Sequence, residues 1–182
     1  MKDEPPSAEN ATKASVAKTL LGFVGTTKHP AKVREKAAMA SASLCCGLGR
    51  CDGVVDSLAP PFAHAKKVLE GLLEASKIKE LELHFHVGAA LSTAALGPGS
   101  RLARDSWTVD FDALDRDARE AVVTSDNLEF LVDKLTNKYL THENKHVKQA
   151  AAVWTLALVQ EAGGMKLVQS KMAKLQVSKI ID

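Results

Sequence analysis

One layout of paired helices recurs three times along the chain, and this recurrence limits the fold more than any single motif does. In SVAKTLLGFVG, Val16, Leu20 and Phe23 fall at helical spacing, TTKHPAK makes a turn, and VREKAAMASASLCCGLG resumes an Ala-rich helical pattern. AHAKKVLEGLLEASK followed by LELHFHVGAALSTAALG repeats the scheme, as do NLEFLVDKLTNKYL and VKQAAAVWTLALVQEAGG around THENKH. The second helices align without gaps when Val33, Leu81 and Val147 share a column. Gly49, Gly97 and Gly163 then coincide, where a glycine can stop a helix by adopting a left-handed conformation. No single hairpin can bury its apolar stripe alone, so such units stabilise one another by stacking.

Composition points the same way. Aromatic residues make up only 4% of the 182 residues, while 46% are hydrophobic and dominated by Ala and Leu. That favours closely packed helices over a sheet of β-branched and aromatic residues. Runs of small residues in the second helices (Ala37, Ala38, Ala40, Ala42; Ala150, Ala151, Ala152) allow close stacking. The expected fold is therefore all-α, an α-solenoid of about three stacked hairpins plus a trailing helix.

The Pro-rich start 1–12 reads as a flexible lead-in, because it carries too little apolar surface to offset its ordering entropy. The solenoid is expected over 13–182, with hairpins at about 13–49, 62–97 and 126–163. An insert loop spans about 98–125, and a trailing helix 164–182. A net charge of +2 without a clustered basic face argues against nucleic acid. Charge is uneven, however: 105–133 is strongly acidic and 134–182 net positive, as solvated faces often are. No apolar run approaches the roughly 18 residues of a membrane span, and MKDEPPSAEN lacks a signal-peptide core, so a soluble intracellular protein without membrane insertion is expected. Cys45, Cys46 and Cys51 form no disulfide framework, which fits a reducing compartment.

Several stretches invite chemical readings. HENKH, residues 142–146, matches the zinc-protease pattern, in which two histidines one turn apart hold Zn and the Glu acts as base. In the repeat frame, however, His142 to Asn144 falls in the connector and Val147 opens the core face of the next helix, so the two histidines belong to different elements. His84 and His86, two apart, point to opposite sides of a helix and cannot share a metal. Cys45 and Cys46 lie in an apolar segment and read as small core residues. GPGS, 97–100, lacks the preceding strand and the Lys-Ser/Thr ending of a phosphate loop. The residues after it, Arg101, Arg104, Asp105 and Trp107, are of types enriched in interface hot spots and form the candidate protein-interaction loop. No catalytic residue, metal site or cofactor is assigned.

HPAKVREKAA and NKHVKQAAA each place an aliphatic and then a basic residue just inside a second helix, the signature of a HEAT repeat. Arg34 and Lys148 are then expected to pair with neighbouring turns or carboxylates along the stack; the second copy departs with Leu81-Glu82. Over about residues 60–175 the chain resembles a large HEAT-array proteasome adaptor and scaffold family. Val87, Gly88, Ala90, Ala103, Arg104, Asp105 and Trp107 match one of its blocks. His146, Val147, Gln149, Ala150, Ala151, Trp154, Leu156, Leu158 and Val159 match another. Departures are Ala89 where an acid is expected, Lys148 for Arg and Thr155 for Leu.

The resemblance implies a non-enzymatic adaptor, a segment from the C-terminal half of a longer array. Its expected partners are the proteasome core and regulatory particles. Its expected setting is the cytoplasm and nucleus, with association to endoplasmic reticulum or endosomes. The alternative is a generic HEAT or armadillo-type interaction module of transport or signalling scaffolds.

Overall fold

The computed structural model describes residues 8–46, 64–106, 126–171 and 173, and no strand occurs among them. Helices α1 (Ala8–Gly25) and α2 (Ala31–Ser43) form the first hairpin, and a 3-10 turn, Leu44–Cys46, extends α2. Helices α3 (Ala65–Leu73), continued by a 3-10 turn to Lys77, and α4 (Leu81–Leu96) form the second. A short helix α5 (Arg101–Ser106) follows, then α6 (Asp126–Lys134) with a π-helical turn Leu135–Tyr139, and α7 (Lys145–Ala162) closes the third hairpin. Residues 166–171 are again helical.

The helices stack in two layers. The second helices form one row, with α4 packed between α2 and α7, and the first helices α1, α3 and α6 form the other. One continuous apolar core runs through all three hairpins, from Ala17 and Val24 to Leu158 and Ala162. The chain is an α-solenoid of helical hairpins. Its central helix shows the consequence in sequence: from Val87 to Gly97 only Ala89 is more than slightly exposed, because neighbours cover α4 on nearly every side.

Burial fixes the register between repeats. On α2 the buried positions are Arg34, Ala37, Ala38, Ser41, Ala42 and Cys45, a stripe at three- and four-residue spacing. Ala37, Leu83 and Ala150 occupy equivalent buried positions. The same holds for Ala38, His84 and Ala151, for Ser41, Val87 and Trp154, and for Cys45, Leu91 and Leu158. Relative to Val147, the column expected from sequence is therefore one residue early in α2 and one late in α4. Val33 and Leu81 are exposed, and Arg34 and Glu80 take the place of Val147. One residue is a 100° rotation on a helix, so the slip exchanges core for solvent.

Other boundaries differ from the sequence expectation for identifiable reasons. Helix α1 begins at Ala8, inside the expected flexible lead-in, where Ala8, Glu9 and Ala11 are good helix formers and Glu9 complements the helix dipole. Its buried positions are Ala17 and Val24, with Leu20 and Leu21 packed beside them, and Val16 is exposed. Part of the expected insert loop is helical: Ser100 Oγ accepts the Ala103 N–H at 3.2 Å, a side-chain cap that starts α5. Gly97 ends α4 with φ 53° and ψ −123°, a backbone conformation that L side chains rarely adopt, whereas Gly163 ends α7 with φ −63° and needs no left-handed conformation. Gly49 and Cys51 lie outside the described residues.

Candidate protein-interaction surfaces and repeat junctions

The stretch HENKH starts a helix. His142 lies in the connector and accepts the Asn144 N–H at Nδ1, 3.0 Å away; Asn144 is the N-cap of α7, and its Oδ1 accepts the His146 N–H at 2.9 Å. The side chain that the zinc pattern would use as ligand is thus half of a capping network, and Glu143 is exposed in the bend before the helix. Among the described residues no group of three or more His, Cys, Asp or Glu is arranged to hold a metal.

Arg34 joins the first and second hairpins. It is buried, its Nη1 donates to Glu80 Oε2 at 2.6 Å, and its Nε donates to the Val24 carbonyl at 3.4 Å. Glu80 is half-exposed at the N-cap of α4, so the pair links equivalent positions of successive second helices at their N-terminal ends. Beside this pair, His86 Nε2 lies 3.8 Å from Glu35 Oε2. Lys148, the expected counterpart of Arg34, is exposed instead, since the register places Val147 there.

The second and third hairpins meet at Gly88. A Cβ at this position would stand 3.1 Å from Ala157 Cβ and 3.2 Å from Trp154 Cα, so the missing side chain lets α4 and α7 close on each other. Trp154 is 1% exposed, and its ring meets His84 edge-on (5.5 Å between centroids) and Tyr139 likewise (5.9 Å). The π-helical turn, closed by the Leu140 N–H to the Leu135 carbonyl at 2.9 Å, carries Tyr139 in its last residue. His84 Nε2 donates to the Ile78 carbonyl at 2.9 Å, while His84 Nδ1 and Trp154 Nε1 have no hydrogen-bond partner among the described residues. Burial holds the His84 pKa below its ordinary value, with the Ile78 carbonyl and Glu80 opposing.

Cys45 and Cys46 are buried thiols. Desolvation, with a smaller contribution from Cys46, pushes the Cys45 pKa up to about 12, and burial raises that of Cys46, whose Sγ lies 3.4 Å from Ser100 Oγ. Neither has the character of a nucleophile.

Of the candidate interaction residues, Arg101 is exposed at the start of α5, and Arg104 and Asp105 lie on the same helix; Trp107 lies outside the described residues. The large apolar side chains that are exposed lie elsewhere. Val33, Leu81, Phe85, Leu156 and Val159 all belong to second helices, and Val16 is the one such residue on a first helix among the described residues. Phe85 and Leu156 are each 54% exposed. Sequence reasoning did not single out Phe85, although it lies off the stripe His84–Val87–Leu91 that the repeat buries. No helix of the described residues is long and apolar enough to cross a membrane.

No family model and no solved structure matches the chain. Similarity is found to the human protein described as proteasome adapter and scaffold protein ECM29, 30% identical over 172 residues, which cover 94% of this chain and 9% of that protein. The chain thus spans less than a tenth of that relative's length. Identity of this extent, sustained over nearly the whole chain, supports a family relationship between this chain and that proteasome adapter and scaffold protein.

Proposed function

We propose that the chain is a non-enzymatic, HEAT-type adaptor segment that binds proteasome particles and tethers or helps assemble them through protein–protein contacts. The observation that carries this reading is the 30% identity, over 94% of the chain, to a protein described as a proteasome adapter and scaffold. An α-solenoid suits the role, because a stack of hairpins presents extended helix faces while each repeat is held by its neighbours. The pairing of Arg34 with Glu80 and the closure at Gly88 make those faces continuous across three repeats. The use of HENKH as a capping network supports the absence of peptidase chemistry. The setting that goes with this function is cytoplasmic and nuclear, with recruitment to endoplasmic reticulum or endosomes through protein partners.

Affinity capture with the tagged chain, followed by quantitative mass spectrometry, tests the proposal. Enrichment of core and regulatory particle subunits over a control solenoid is expected. Enrichment of transport or signalling components in their place would make the chain a generic HEAT or armadillo-type module.

A further inference from the structure

The second-helix layer carries an apolar ridge bordered by lysines. In the register fixed by burial, Lys32 and Lys36 on α2, Phe85 on α4, and Lys145 and Leu156 on α7 lie on the side opposite the buried stripe, with Lys148 at its border. The three helices run side by side in parallel, as the contact pairs Arg34 to Glu80 with Glu35 to His86, and His84 to Trp154 with Gly88 to Ala157, require. All four lysines are exposed. The one exposed carboxylate on this side of the described second helices is Glu82, since Glu80 is held by Arg34 and Glu35 is mostly buried beside His86.

Lys32, Lys145 and Lys148 stand in the first turns of their helices, where helix stability disfavours them. The first turns of α2 and α7 contain no acidic residue, although the partial positive charge of a helix N-terminus favours carboxylates there. Parallel helices bring these like-signed ends to one edge of the layer, so positive side chains and positive helix ends add. A surface that tolerates this repulsion while leaving an aromatic ring half in water is complementary to an anionic partner with apolar anchors.

We propose that this ridge is a docking face for an acidic protein segment with apolar anchors, which would cover Phe85 and Leu156 while its carboxylates meet Lys32, Lys36, Lys145 and Lys148. The inference concerns the face and not the assembly it serves. Failure of proteasome association would leave it standing, and failure of peptide binding would leave the adaptor reading standing.

Fluorescence anisotropy tests it, using the 182-residue chain and a set of labelled peptides in which aspartates flank leucine and phenylalanine, with matched peptides carrying lysine for aspartate. The acidic set is expected to bind, more weakly as salt rises. Phe85→Ala, and separately Lys36→Glu with Lys148→Glu, should each weaken binding about tenfold or more, without loss of helical circular dichroism or a fall in Tm, because all three positions are exposed and a glutamate at Lys148 suits the helix N-terminus. Equal binding of both peptide sets, no binding of the acidic set, or insensitivity to both variants would overturn the proposal. So would vesicles of anionic phospholipid outcompeting the peptides, or self-association in sedimentation velocity that Phe85→Ala abolishes.

Discussion

Arg34 reaches out of the first hairpin with its side chain almost wholly buried and places Nη1 2.6 Å from Oε2 of Glu80, at the entrance of the second. The two partners are unequally exposed, 2% against 48%, and this decides how each substitution acts. Glu80→Ala leaves a buried guanidinium without its carboxylate and should cost about 1–2 kcal/mol, less than the loss of one member of a fully buried pair because the Glu80 side of the pair is screened by solvent. Arg34→Met combined with Glu80→Ala removes both charges, keeps most of the volume and should recover much of that loss. Urea unfolding of the two single variants and the double variant measures the coupling.

Gly88 and Gly22 form an opposed pair. An alanine at Gly88 would crowd Trp154 Cα, which is backbone and cannot rotate aside, whereas nothing lies within 4 Å of a Cβ at Gly22. Gly88→Ala should lower stability by roughly 1 kcal/mol, the overpacking penalty exceeding the helix-propensity gain. Gly22→Ala should raise it by about 0.5–1 kcal/mol. Thermal unfolding of the two variants should give Tm shifts of opposite sign.

His84 makes the junction of the second and third hairpins sensitive to acid. Its folded pKa is depressed below 6.5 by burial, so the unfolded chain binds its proton first. The stabilisation is complete above pH 6.5 and is lost as pH falls from 6.5 toward the folded pKa. Chemical denaturation between pH 7.5 and 5 should show stability falling, and His84→Gln should flatten that slope.

Asn144 tests the reading of HENKH. Asn144→Ala removes the acceptor of the His146 N–H and should destabilise the chain by about 1 kcal/mol, whereas Glu143→Ala at the exposed bend should change stability by less than about 0.5 kcal/mol. The zinc reading demands the reverse emphasis, with zinc binding lost in His142→Ala and any hydrolysis lost in Glu143→Gln while zinc stays bound. Denaturation and equilibrium dialysis against zinc separate the two.

The hairpins were legible because apolar residues recur at helical spacing in six segments and turn residues separate them. Their register was not, since a one-residue slip is invisible when the buried stripe is built of small residues such as Ala37, Ala38, Ala150 and Ala151 and the same residue type, at Ala40 and Ala152, lies off it. Arg34, expected to pair with neighbouring turns or carboxylates, meets a glutamate 46 residues away, and it occupies the core position that the sequence column assigned to Val33. The cap at Ser100 was readable locally and marks the helix Arg101–Ser106 inside the expected loop. The π-helical turn at Leu135–Tyr139 had no local signal, and it brings Tyr139 against Trp154 of the following helix. The role of Gly88 likewise depends on the approach of α7.

Co-sedimentation of the purified 182-residue chain with purified proteasome core and regulatory particles tests the central claim most directly. The chain is predicted to migrate with at least one of the two particles and to be displaced by an unlabelled excess of itself. Migration at the position of the chain alone, at concentrations where a control adaptor is fully bound to both particles, would contradict it.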